Sequence, residues 1–169
     1  MEKRLLTQER LKELLSYDES SGLFYWKVSR RNIKAGDIAG HLTEYGYYKL
    51  MIDSVVYQAH QLAWFYHYGY FPKGQIDHIN HNKSDNRICN LREVSEKDNH
   101  KNRPKQVNNT SGCTGVSWYK LTNKWIAHIQ VNKKHITLGY FNTFTEAVRA
   151  RKEAEVKYGF YKNHGRGVI

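Results

Sequence analysis

The chain has two cysteines in 169 residues, Cys89 and Cys113, too few for a four-cysteine zinc site. A disulfide between them fits poorly with a reducing compartment, so both read as small, partly buried thiols. No apolar run approaches the ~20 residues that cross a bilayer. The opening stretch MEKRLLTQERLKELL is too charged for a signal peptide, and a cytoplasmic protein is the expectation. Proline is also scarce, at two residues, so Pro72 and Pro104 stand out as element ends. Acidic residues are outnumbered 16 to 27 by Lys and Arg, which leaves a net charge of +11. Residues 108–169 hold 10 of the basic groups and 3 of the acidic ones. Such asymmetry marks a polyanionic partner, and with no basic amphipathic anchor helix the partner expected is nucleic acid rather than membrane. A merely solvated basic face is the plainer alternative. The mean hydropathy is −0.78, yet aromatic residues make up 14%, which excludes wholesale disorder.

The hydrophobic pattern predicts an α+β chain. Residues 6–15 read as a helix capped by Thr7, with Leu11, Leu14 and Leu15 on one face. GLFYWKV (22–28), GYYKLMID (46–53) and VVYQAH (55–60) read as strands, and 61–71 as a helix ended by Gly69 and Pro72. A turn-rich stretch, 72–92, leads into a short helix that starts at Ser95, with Asp98 as a capping-box partner, and closes at Pro104. Residues 105–112 read as a polar linker. GVSWYK, KWIAHIQV and KHITLGYF then predict three antiparallel strands separated by LTN and NKK turns. The last helix is expected to be capped by Thr145 and to present Ala147, Val148, Ala150 and Ala154 as a small apolar face.

The chemistry concentrates in IDHINHNKSDNRICNLR (76–92) and the following EVSEKDNHKN. Phosphodiester hydrolysis needs an activated water, stabilisation of a charged transition state and help for the leaving oxygen. A hard divalent cation on oxygen ligands serves the last two, and a neutral imidazole serves the first. Asp77 offers a carboxylate, and His78 points to the other side of an extended chain, so it can take a proton without binding the metal. Asn90 and Asn99 can bond backbone groups or offer a carbonyl oxygen. His81, Asp85 and Asn86 read as turn residues. His60 reads equally as a core histidine or a phosphate contact. A structural zinc on His60, His78, His81 and Cys89 is the sharpest rival, though its spacing matches no known ligand pattern, and no structural zinc is expected.

Asp77-His78, Asn90-Leu91 and Asn99 together resemble the HNH (ββα-metal) endonucleases, particularly the bacteriophage homing endonucleases, in which the third motif residue is often Asn. AHQLAWFYHYGYFPKGQ (59–75) resembles the stretch that precedes the motif in that family. The resemblance implies His78 as the general base, Asp77 and Asn99 as ligands of one Mg2+ ion (Mn2+ being the alternative), and Asn90 as the residue that pins the loop and orients His78. His100 adjoins Asn99, but Asn99 keeps the family's separation from Asn90. It also implies a nuclease domain over 1–104 with a β-rich N-terminal extension, and a host-cell cytoplasmic location if the gene belongs to a phage.

Residues 112–160 resemble the APETALA/ethylene-response-factor DNA-binding domain through Gly115-Val116, Trp125-x-Ala127-x-Ile129, Leu138-Gly139-x-Phe141 and TFTEAVRA. The resemblance implies a DNA-binding domain at 113–169, a three-stranded sheet in the major groove backed by one helix, with double-stranded DNA as partner. Ser117, Tyr119, Lys124, His128 and Gln130 correspond to positions that face DNA in that family. Lys120, Lys133, Lys134 and Thr137 are candidate phosphate contacts. Trp125 reads evenly as core or as DNA-facing. Ser117 and Tyr119 replace two arginines of the plant domains, so the plant target sequence is not implied. The overall expectation is a metal-dependent homing endonuclease. The strongest helical apolar stripe, Leu11-Leu14-Leu15, is short enough to be ordinary core, so a monomer that nicks one strand is expected. The alternatives are a DNA-binding regulator with an inactive nuclease site and an RNA-binding protein.

Overall fold

The computed structural model describes residues 6–30, 32–95, 105 and 108–166. The chain divides into two compact units, Met1–Ser95 and Glu96–Ile169. The architecture is α+β, with three α-helices and several small antiparallel sheets among the described residues. No helix among these residues is long and apolar enough to cross a membrane.

In the first unit, α1 (Gln8–Leu14) begins where the Thr7 hydroxyl accepts a bond from the Arg10 N–H at 3.2 Å. It ends one residue early, because Leu15 already has extended φ and ψ (−131°, 147°) and opens strand β1 (Leu15–Asp18). β1 pairs antiparallel with β2 (Leu23–Trp26), from Leu15 opposite Trp26 to Asp18 opposite Leu23. The sequence pattern did not reveal β1, whose LSYD continues the helical leucine stripe without a break. β3 (His41–Leu42), β4 (Tyr48–Ile52) and β5 (Val55–Gln58) form a second antiparallel sheet. Helix α2 (Ala59–Tyr68) follows β5 directly, two residues before the expected start, and Gly69 at φ 79° ends it. The core gathers Leu11, Leu14 and Leu15 with Phe24, Trp26, Leu50, Ile52, Leu62 and Phe65. Fully burying each such side chain contributes about 1.5–3 kcal/mol, so the leucine stripe is consumed inside this unit.

The turn-rich stretch conceals a hairpin. β6 (Gln75–His78) and β7 (Leu91–Val94) pair antiparallel, with Asp77 opposite Arg92 and His78 opposite Leu91. Between them runs a loop that ends in a single 3-10 turn, Ile88–Asn90. Leu91 and Val94 are buried and anchor the hairpin, while the asparagines that hide it from a propensity reading occupy the loop. The helix expected at 95–104 lies, beyond Ser95, outside the described residues.

In the second unit, β8 (Val116–Tyr119), β9 (Lys124–Val131) and β10 (Lys134–Phe141) form a sheet in the order β10-β9-β8. Helix α3 (Phe144–Lys157) packs across it. Its cap is Thr143 rather than the expected Thr145. The Thr143 hydroxyl accepts from the Glu146 N–H at 3.3 Å, while the Glu146 carboxylate accepts from the Thr143 N–H at 3.1 Å. That reciprocal pair satisfies two end donors, which a Thr145 cap does not. Val116, Ala127 and Ala147 are buried between helix and sheet, with Trp125, Leu138, Phe141, Phe144 and Val148 packed around them.

Candidate active site

The β6–β7 loop has little to bury, so its backbone polar groups need partners from its own side chains. The asparagines provide them. Asn90 Oδ1 accepts from the Asn80 N–H at 3.0 Å, and Asn90 Nδ2 donates to the Asp85 carbonyl at 2.8 Å. Asn80 Nδ2 donates to the Asp85 carboxylate at 2.7 Å, and Asn80 Oδ1 accepts from the Asn82 N–H at 2.9 Å. Asn82 repeats the turn by accepting from the Ser84 N–H at 3.1 Å. Arg87 donates to the Asp85 carboxylate at 2.6 Å and, as the largest of several hydrogen bonds, holds that carboxyl below the usual range. Asn90 therefore ties both ends of the loop through backbone groups.

Asp77 and His78 alternate across β6, one to each side. The Asp77 Oδ2 accepts from Arg92 Nε at 2.9 Å and Nη2 at 2.6 Å, a clasp between directly opposed residues. His78 is buried, 5% exposed, and its Nε2 lies 3.2 Å from the Asn86 Oδ1. The His60 ring meets the His78 ring edge-on, with centroids 5.2 Å apart at 84°. Tyr47 packs beside both, at 5.6 Å from His60 and 6.1 Å from His78. Lys83 Nζ lies 4.8 Å from the Tyr47 ring centre and donates to the Tyr45 carbonyl at 3.3 Å. Burial, with His78 adding to it, pushes His60 down to about 4. Burial also lowers His78, against the opposing pull of its Asn86 hydrogen bond and of Asp77 and Asp85. Both imidazoles are neutral at pH 7, and a neutral imidazole has a lone pair to offer a water proton.

Other expected residues sit differently. His81 holds a left-handed conformation at φ 67°, and both its ring nitrogens are buried without a hydrogen-bond partner. Cys89 is exposed. Asn99 and His100 lie outside the described residues. Among the described residues no cluster of three or more His, Cys, Asp or Glu has metal-holding geometry. The donor chemistry that is described fits a hard cation, since Asp77 supplies a carboxylate oxygen donor.

Residues 57–101 match the HNH endonuclease family model. The match runs from the end of β5 through α2, the hairpin and its loop, and it supports an HNH nuclease acting on DNA. Searches of curated proteins and of solved structures returned no match. HNH nucleases generally use a divalent metal ion. Within the HNH segment the sequence had pointed at Asp77, His78 and Asn90, and it left His60 undecided. It read Asn86, which bonds the His78 ring, as a turn residue, and it passed over Arg92, which bonds the Asp77 carboxylate. For Arg92 a signal existed, since a hairpin joining 75–78 to 91–94 places it opposite Asp77.

In the second unit, strand alternation sets Ser117, Tyr119, Lys124, His128, Gln130 and Thr137 on the sheet face turned away from α3. Ile126, His135 and Tyr140 share that face by register, opposite Tyr140, Gln130 and Ile126 respectively. Tyr119 and Tyr140 approach to 5.6 Å, and His128 and His135 to 6.2 Å. Burial is the main cause holding His128 below its ordinary value. Lys120 is exposed beyond β8, and Lys133 and Lys134 are exposed at the β9–β10 turn. Trp125 falls on the helix side, its ring 4.8 Å from Phe144.

Proposed function

We propose that the chain is a metal-dependent endonuclease that nicks one strand of double-stranded DNA at a recognised site, as a free-standing homing enzyme of the bacteriophage type. One observation carries the reading: a buried, neutral imidazole, His78, sits beside a carboxylate, Asp77, on a strand within the segment that matches the HNH endonuclease model. In this reading His78 takes the proton from the attacking water. Asp77 and Asn99 would hold one divalent cation, Mg2+ or Mn2+, which would supply charge neutralisation at the phosphate and help for the leaving oxygen. Asn90 keeps the loop closed so that His78 stays on its strand. The Arg92 clasp fixes the direction of the Asp77 carboxylate. The second unit reads DNA with the outer face of its sheet, as the ethylene-response-factor-like domain does, with Ser117, Tyr119, Lys124, His128, Gln130 and Thr137 facing the duplex. Lys120, Lys133, Lys134 and Thr137 contact phosphates, and a monomer binds an asymmetric site.

A supercoiled plasmid incubated with enzyme and Mg2+ tests this. Open circles are expected before any linear form, and chelator should stop the reaction. His78→Ala should leave DNA binding within a few-fold and lower the nicking rate ~10²–10⁴-fold. Cleavage by His78→Ala at the wild-type rate would remove His78 from the role of base. Linear DNA from the first time point, at enzyme well below substrate, would replace the monomer with a paired site.

A further inference from the structure

In the second unit the middle strand of the sheet turns an aliphatic side chain outward. Ile126 of β9 lies directly opposite Ser117 of β8 on one side and Tyr140 of β10 on the other. Its chain neighbours Trp125 and Ala127 pack on the helix side, and Ile126 is not part of that core. Tyr140 reaches the outer face through a bulge. Thr137 is opposite His128 and Gly139 is opposite Ala127, so Leu138 is one residue extra on β10. Plain alternation from Thr137 would aim Tyr140 at the helix, and the extra residue turns it outward, where it is 49% exposed. Its ring comes to 5.6 Å from that of Tyr119 on β8. Tyr119, Ile126 and Tyr140 thus form one apolar ridge across the three strands.

A sheet that enters the major groove sets this ridge against base edges. There every base presents hydrogen-bonding atoms, and the thymine C5-methyl is the apolar group among them. An isoleucine pressed on a guanine, adenine or cytosine edge strips water from O6, N7 or an exocyclic amine and returns no bond. Pressed on a thymine methyl it buries carbon against carbon. Among the described strand residues that register places on this face none is Arg, Asp or Glu. The bidentate Arg contact to guanine and the carboxylate contact to cytosine are therefore missing from the strands. Residues 108–169, with ten basic and three acidic groups, supply the attraction to the duplex.

We infer that Ile126 is a specificity-determining residue that selects a thymine within the bound site by packing on its C5-methyl group, with Tyr119 and Tyr140 excluding water on either side. The inference rests on the reading of this sheet as the face that enters the DNA groove, and it does not depend on the chemistry of the nuclease site. Burying one methyl group is worth roughly fourfold in an equilibrium constant. The polar atoms that a wrong base would leave without water add to that discrimination.

The test uses the full-length chain with chelator present, so that binding is read without cleavage. Selection from a random-sequence duplex library gives the bound site. Each thymine in it is then replaced singly by deoxyuridine, which removes the methyl group and leaves the pairing edge intact. At one thymine the replacement should weaken binding about three- to tenfold. In Ile126→Ala that loss should shrink to within about twofold, because the methyl group no longer has its partner. A repeat selection with Ile126→Gln should no longer return thymine at that position, a change that a purely structural role does not produce. A site whose thymines all tolerate uracil, or a uracil penalty that persists undiminished in Ile126→Ala, overturns the inference and leaves the sheet as the reading face. Enrichment of no site at all overturns that reading, and the inference with it. If Ile126→Ala does not fold, the uracil scan of the wild type and the Ile126→Gln selection decide.

Discussion

A half-buried imidazole packed edge-on against a second one, as His60 is, resists protonation. Its folded value of about 4 lies below its ordinary 6.5. Between those pH values the unfolded chain binds a proton that the folded chain does not, so stability falls as pH drops through that window. At ~1.4 kcal/mol per unit the loss approaches about 3 kcal/mol by pH 4. His60→Phe keeps a ring against His78 and should remove most of this acid sensitivity. Urea denaturation at pH 7 and at pH 4.5 reads the difference, and His78, shifted in the same direction, leaves a smaller residual slope. His81 poses the opposite case, a side chain in the wrong place. A non-glycine residue in the left-handed region costs roughly 1–2 kcal/mol, and here two buried ring nitrogens also have no partner. After subtracting the ~0.5–1 kcal/mol of chain entropy that glycine adds, His81→Gly should stabilise the protein by about 1 kcal/mol with nicking within twofold of wild type. A loss of nicking comparable to that of His78→Ala would make His81 part of the chemistry.

The β9–β10 hairpin turns through two residues, Asn132 and Lys133, both with positive φ (49° and 65°) between the paired Val131 and Lys134. That is the mirror-image turn matched to strand twist, and Asn-Gly is its favoured sequence. Lys133 therefore keeps a charge where glycine would fold better. Lys133→Gly should raise the unit's stability by ~0.5–1 kcal/mol in thermal melts while weakening DNA binding and reducing its salt slope by about 1. These three strands were legible in the sequence because one face of each is packed and the other is not, so alternation is clean. β1 and β6–β7 were not legible, for different reasons. β1 is four residues long and begins on a leucine that also fits the helical stripe before it. β6 and β7 are short strands flanking a loop whose asparagines lower any strand propensity averaged across them. Within the site, Asp77, His78 and Asn90 stood out by residue type and spacing. The bond from Asn86 to His78 did not, since nothing in a run of loop amides says which one turns inward.

Across the whole chain, charge is divided unevenly, and residues 108–169 carry ten basic groups against three acidic ones. A fragment ending at Lys105 should keep weak, unspecific nicking and lose site preference. Its binding should depend less steeply on salt, because fewer phosphates are neutralised and fewer counterions released. A salt slope equal to that of the intact protein would place the electrostatic contact in the first unit instead. The loop between β6 and β7 carries a further consequence. Its hydrogen bonds run from Asn80 to Asn90 and are made almost entirely within the loop, so closing it requires few distant parts of the chain to arrive first. Contacts so near in sequence form early and at small entropic cost. A segment that assembles on its own terms is also transferable: exchanged between chains, it needs from its new host only an apolar floor for Leu91 and Val94 and a wall against Asn86 and Arg87 where Gly22 and Tyr17 stand.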